Sequence, residues 1–299
     1  MTGNGRINPF TPRDAVQPEY FFGRQKEMSQ IQTALKGALH GKTHRILVRG
    51  DRGLGKTSIV LYAASMASFY SLIEDEEDVS FAVVKVRLGG CRNLDEVCSR
   101  ILRAFHKICP NGLKETLSDI LKRISGVTVG PVGIELSSKT SNDILVPNFD
   151  ALLEEIIDKI LAHGYSGILL TVDETESFSR MQGAADFTKN FLERLNDDGI
   201  TRIVTLLTAT PEGVDALTKD HPSFPRLFSS VDLQPLSKDE TIALVTKTLE
   251  KGYPVLNINE DVLQRIYRFS NGYPYFIQEM GYWCFQADTD GHIRWKDFV

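Results

Sequence analysis

Gly50, Gly55, Lys56 and Thr57 stand in the spacing Gly-x-x-x-x-Gly-Lys-Thr, with Asp51, Arg52, Gly53 and Leu54 between the glycines and Ser58 next in line. Glycines at these places let successive backbone N–H groups curl around an anion, and a helix starting there adds its positive end. Lys56 would neutralise the β- and γ-phosphates of a nucleotide, and the Thr57 hydroxyl suits a hard cation such as Mg²⁺. A second element lies downstream, where the apolar run Ile168-Leu169-Leu170-Thr171-Val172 delivers Asp173 and Glu174. Asp173 would hold Mg²⁺ through water, and Glu174 would orient and deprotonate an attacking water. Glu176 is an alternative base, further beyond the strand. Thr208 or Thr210, at the tip of another apolar run, would touch the terminal phosphate or the water, and Arg226 would reach a nucleotide held by a neighbouring subunit.

These residues need a scaffold, and the hydrophobic pattern supplies one. Ile46-Leu47-Val48 opens directly into the glycine loop, and Ser58 to Ala64 continues as a helix, giving strand, loop, helix in that order. Further strands are expected at Phe81–Leu88, Gly167–Val172, Arg202–Thr208 and Val231–Leu233. Helical periods fall at about 24–39, 93–108, 112–124, 148–162 and 184–197. The run from Val127 to Leu136 alternates about a Gly-Pro turn and predicts a small hairpin inside an insertion at about 110–147. Ser237-x-x-Glu240 is a capping box that opens a helix to about Glu250, followed by helices at about 259–269 and 274–287. Strands alternating with helices imply an α/β fold, a three-layer αβα domain around a parallel sheet. The expected division is 1–235 for that domain, with a lead-in at 1–22, and 236–299 for a small all-helical lid.

The 299 residues carry 34 Lys+Arg against 39 Asp+Glu, a formal net charge of −5, with 42% hydrophobic residues and four Cys. That composition excludes a disordered chain, collagen and a disulfide scaffold, and the acidic balance argues against a DNA coat. Cys91, Cys98, Cys109 and Cys284 lack metal or redox spacing and read as buried small hydrophobes in a reducing compartment. The start has no signal-peptide core and no run is apolar enough to span a bilayer, so a cytoplasmic protein without membrane attachment is expected.

With these elements in order, the chain resembles the AAA+ ATPases, within them the group shared by archaeal and bacterial ATPases, origin-recognition ATPases and STAND signalling NTPases. Phe21-Phe22-Gly23-Arg24-x-x-Glu27 is similar to that group's box beside the adenine. Pro235-Leu236-Ser237-x-x-Glu240 is similar to its entry to the lid, and Asn271-Gly272-Tyr273-Pro274 to its Gly-x-Pro element near the base. The resemblance implies ATP and Mg²⁺ as ligands, with Phe22, Gly23, Arg24 and Pro274 beside the nucleotide. The lid lacks a Gly-x-Arg sensor, as in STAND-like members. No winged helix follows, and Ile293–Val299 reads like the opening of a further element.

The leading expectation is an ATP-hydrolysing molecular switch that assembles with itself or with an effector protein, as in prokaryotic regulatory or defence systems. The alternative is a DNA-associated regulator of origin-recognition or transposition type, forming a nucleotide-dependent oligomer on DNA through Lys107, Lys114, Lys122 and Arg123. A nucleotide-binding scaffold without turnover is a third class.

Overall fold

The computed structural model describes residues 5–70, 79–109, 114–115, 127–130, 133–136, 146–197 and 201–298. Lys122, Arg123, most of the expected 112–124 helix and the acidic loop at 74–78 lie outside them. The chain divides into two compact units, one formed by residues 1–29, 50–62 and 232–299, the other by 30–49 and 63–231.

The larger unit is built on a sheet. Its strands are β1 (His44–Arg49), β2 (Phe81–Arg87), β5 (Gly167–Asp173), β6 (Ile203–Ala209) and β7 (Ser229–Asp232), in the order β2-β5-β6-β1-β7. β1 pairs with β6, β6 with β5 and β5 with β2, all parallel. Every residue of β5 and β6 is buried, which is why both read as continuous apolar runs instead of alternating ones. Leu207 of β6 faces Leu47 of β1 on one side and Val172 of β5 on the other, so the carboxyl ends of the three strands share an edge.

Helices α3 (Leu94–Ile108), α4 (Phe149–Ala162), α5 (Ala184–Asp197) and α6 (Pro211–Asp220) belong to this unit. α3 starts at Asn93, whose side chain accepts from the Glu96 amide, and buries Val97, Ile101, Leu102 and Phe105 at helical spacing. These join Phe149, Ile156, Ile168 and Leu170 in one core. The short strands β3 (Val127–Gly130) and β4 (Gly133–Leu136) pair antiparallel, as the alternation predicts. Two helices cross from one unit to the other, α1 (Gln25–Leu39) and α2 (Lys56–Ser68).

The smaller unit gathers α7 (Lys238–Leu249), α8 (Glu260–Ser270) and α9 (Pro274–Ala287). Ser237 caps α7 by accepting from the Glu240 amide, while the Glu240 carboxylate accepts from the Ser237 amide, closing the predicted capping box. Phe10 from the lead-in is buried with Leu244, Val262, Ile266, Ile277 and Phe285. Arg6 donates to the Asp288 carboxylate at 3.0 Å and to the Phe285 carbonyl at 2.9 Å. This unit is not purely helical. β8 (Asn257–Ile258) and β9 (His292–Ile293) pair in parallel, and Ile293 is buried in the core. The closing segment that reads as the opening of a further element therefore folds here, a strand followed by a 3₁₀ turn at Trp295–Asp297. Two paired residues per strand are too few to leave a period in the sequence.

Candidate nucleotide site

The phosphate loop begins one residue after β1 and ends where α2 begins, at Lys56. Gly53 has φ +84° and a Cβ there would lie 3.1 Å from the Tyr275 Cβ, so both conformation and space call for glycine. The Gly53 carbonyl accepts from the Tyr275 amide at 3.2 Å, which ties the loop to the first turn of α9. Gly55 accepts from the Ile59 amide, starting the helix, and the Lys56 ammonium donates to the carbonyls of Gly50 at 2.8 Å and Asp51 at 3.1 Å. Lys56 thus lies folded over the loop, and Asp51, Arg52 and Gly53 are exposed. Thr57 is half-buried and Ser58 is buried, its hydroxyl accepting from the Val16 amide at 3.1 Å.

Arg24 is buried in a left-handed conformation, φ +62°, just ahead of α1. A non-glycine residue holds such a conformation only where its surroundings fix it. The surroundings are explicit: its amide donates to Glu240 at 3.3 Å, and its guanidinium to the Leu54 carbonyl at 3.2 Å and to Glu27 at 3.4 Å. Burial lowers the guanidinium pKa, against the opposing pull of Glu27 and Glu240. For Glu240, burial pushes the carboxyl up, but the amides of Ser237 and Arg24 outweigh it and hold the group below its ordinary value.

Arg24 also lines a partly open pocket whose walls include Tyr20, Phe21, Phe22, Leu54, Leu236 and Pro274, with Ser58 and Gln278 as further polar members. Phe21 stacks on Tyr62 with ring centroids 5.1 Å apart, and the Lys247 ammonium sits over the Phe22 ring. Aromatic and aliphatic walls with a few placed polar groups are what a planar heterocycle needs. The motifs at 21–24 and 271–274 therefore come together around one cavity with Leu54 of the loop. Sequence reading does not single out Gln278 or the two long-range bonds made by Arg24. Gln278 follows Pro274 by four residues, one helical turn on the same face of α9, and that spacing is its only sequence signal.

In the larger unit, Asp173 ends β5 and is buried. Its Oδ1 accepts from the Thr208 hydroxyl at 2.5 Å, whereas Oδ2 is buried without a hydrogen-bond partner among the described residues. Buried carboxylate oxygens are rarely left so. An unpaired oxygen beside a satisfied one fits a hydrated divalent cation, which prefers oxygen donors and keeps several of its waters. Glu174 follows with φ +57°, about half exposed, and its carboxylate lies 3.9 Å from the Arg87 Nε at the end of β2. Glu176 precedes the 3₁₀ turn Phe178–Arg180, its carbonyl accepting from the Ser179 hydroxyl. Thr210 is separated from this group by its own task, capping α6 by accepting from the Gly213 amide. Arg226 is exposed on the 3₁₀ turn Phe224–Leu227.

The strand order β2-β5-β6-β1-β7, with the glycine loop following β1, is that of an AAA+ P-loop NTPase fold. Comparison with known proteins resolves the group further. A family model described as Novel STAND NTPase 1 matches residues 7–271, and the chain belongs to that family. An uncharacterised HTH-type transcriptional regulator of Methanocaldococcus jannaschii is 24% identical over 267 residues, 83% of this chain and 58% of the regulator. The ORC1-type DNA replication protein 1 of Haloarcula marismortui is 27% identical over 114 residues, 33% of this chain and 26% of that protein. Among solved structures, Cdc6p of Pyrobaculum aerophilum superposes with a TM-score of 0.62 at 17% identity, over 98% of this chain and 69% of its own. The Aeropyrum pernix ORC1 protein in complex with DNA gives 0.59 at 13%, over 93% and 64%. The chain thus spans little more than half of the first curated relative and about two thirds of these structures. No helix among the described residues is long and apolar enough to cross a membrane.

Proposed function

We propose that the protein binds Mg·ATP and hydrolyses it as a molecular switch whose assembly, with copies of itself or with an effector protein, depends on the bound nucleotide. The observation that carries this reading is the state of Asp173, a buried carboxylate with one oxygen held by Thr208 and the other unpaired. A purely structural aspartate would have both oxygens satisfied.

In this reading Gly50–Ser58 cradles the phosphates with backbone amides, and Lys56 exchanges its loop carbonyls for the β- and γ-phosphates. Thr57 and Asp173 would hold Mg²⁺, which would neutralise charge on the phosphates. The order of strand, glycine loop and downstream acid along the sequence supports assigning loop and acid to one ligand. Glu174 accepts the proton of the attacking water, and Thr208 keeps Asp173 oriented. Phe22, Gly23, Arg24 and Pro274 enclose the base. Arg226 is free of those duties and, being exposed, serves a nucleotide on a neighbouring protomer, where it stabilises charge in the transition state. Lid and interface order with the triphosphate and relax after hydrolysis.

A second reading, nucleotide-dependent assembly on DNA, is favoured by the named DNA-related relatives. Lys107 is exposed at the end of α3 and is available to it. Mass photometry with ADP, with a non-hydrolysable ATP analogue, and with the analogue plus duplex DNA separates the readings. Assembly with the analogue alone, abolished by Arg226→Ala, supports the switch. Salt-sensitive assembly only with DNA supports the second reading, and a monomer in all three overturns self-assembly in either reading and with it the role of Arg226.

A further inference from the structure

We infer that Gln278 reads the nucleobase and sets the preference of the pocket for adenine over guanine; this rests on the nucleotide reading above. Gln278 is 3% exposed, lines the cavity, and lies on α9 one turn after Pro274. Its Oε1 accepts from the Thr11 amide at 3.0 Å. A backbone N–H can only donate, so that end of the carboxamide must be oxygen and the other must be NH₂. The lead-in segment around Thr11 thereby fixes which end of the amide remains for a ligand.

The other polar side chains that line the pocket are those of Arg24, Ser58 and Tyr20. The Arg24 guanidinium serves Leu54 and Glu27, its amide serves Glu240, and the Ser58 hydroxyl accepts from Val16. Glu240, which holds the Arg24 amide, accepts from Ser237 as well. What the pocket offers a base is thus a donor, the Gln278 NH₂, inside walls of Tyr20, Phe21, Phe22 and Leu236. Adenine carries three ring nitrogens that accept and one exocyclic amine that donates. Guanine also accepts at N7 and O6, but its Watson–Crick edge carries both N1–H and an amine. The Tyr20 hydroxyl could accept from one of those two donors, which leaves the other against apolar walls, and unpaired buried donors are rejected strongly. Gln278 is a specificity-determining residue in this account, and its partner is a ring nitrogen of adenine.

Two variants test it. Gln278→Glu keeps an acceptor for Thr11 and removes the donor, and Gln278→Leu removes both. Dissociation constants for ATP, GTP, and 1-, 3- and 7-deaza-ATP would be measured by calorimetry, with tripolyphosphate as a control and thermal melting without ligand as a check on folding. The expected result is an ATP affinity about tenfold weaker in both variants, with GTP changed less and tripolyphosphate unchanged. One deaza analogue should show the same loss on the wild type and no further loss on Gln278→Glu. An ATP-to-GTP ratio within about twofold of wild type in both folded variants, or an equal loss for tripolyphosphate, would overturn the inference. Wild-type protein that binds none of the triphosphates would instead remove the nucleotide reading itself.

Discussion

The Thr208 hydroxyl donates to Oδ1 of Asp173 across neighbouring strands β6 and β5, while buried Oδ2 of the same carboxylate has no hydrogen-bond partner among the described residues. A threonine at that position supplies one donor and no charge, so it orients the acid without neutralising it.

Thr208→Val removes the hydroxyl and keeps the shape. Both oxygens of Asp173 would then lack a donor, and a hydrogen bond to a charged group contributes about 1.5–3 kcal/mol. Urea denaturation should show a loss of that size. Phosphate release should fall at least about tenfold, with ATP affinity changed less.

Gly272 has φ +75°, and a Cβ there would lie 2.1 Å from the Leu236 carbonyl oxygen. That carbonyl belongs to backbone whose own amide is fixed by a 2.8 Å bond to the Gly272 carbonyl, so it cannot move aside cheaply. Gly272→Ala is expected to cost about 2–4 kcal/mol, read as a lowered melting temperature, the left-handed conformation alone accounting for about 1–2 kcal/mol. Ala at the exposed Gly5, where a Cβ meets nothing, is the neutral control.

Glu240 links the α7 cap to the Arg24 amide, and its carboxyl is held below its ordinary value by those donors in spite of burial. A depressed carboxyl contributes stability that is present above the unfolded-state value, about 4.3, and is lost as pH falls through the lower folded value. Glu240→Gln should therefore be less stable than wild type at pH 7, by about 0.5–2 kcal/mol for the cap, and the gap should narrow below about pH 4. Urea titrations at pH 7 and about pH 3 measure both. A gap independent of pH would mean that the charge plays no part.

All four cysteines are free and buried. Burial raises each thiol, Cys109 to about 11 and Cys284 to about 12, with Cys91 and Cys98 also raised. The thiolate is the reactive form, so Ellman's reagent at pH 7.5 should label native protein slowly and guanidinium-unfolded protein at once. Rapid labelling of the native protein would contradict the burial.

Much of the scaffold is legible in sequence because its signals are local. Ile46–Val48, Phe81–Val86 and Gly167–Val172 are β-branched or aliphatic runs bounded by turns, and Ser237 with Glu240 announces a helix start that the structure reproduces. What escapes is long-range. Glu240 satisfies its local capping box and also the amide of Arg24, 216 residues away, and no spacing encodes the second bond. Gln278 reads as one polar position on a lid helix until Thr11 fixes its amide. The pair β8 and β9 is two residues long on each side and carries no alternation, so the lid reads as all-helical from sequence. Thr208 and Thr210 are equivalent in sequence. Only the packing sends one to Asp173 and the other to cap α6.

In the proposed mechanism turnover rests on Glu174, whose exposed pairing with Arg87 is too weak to hold it structurally, about 0–1 kcal/mol at most. Glu174→Gln should leave folding and ATP affinity within about twofold of wild type. The decisive measurement is single-turnover phosphate release from Mg·ATP by wild type and Glu174→Gln under conditions of assembly. The account predicts retained binding with release slowed by about 10²–10⁴-fold. Equal release by the two proteins would contradict it.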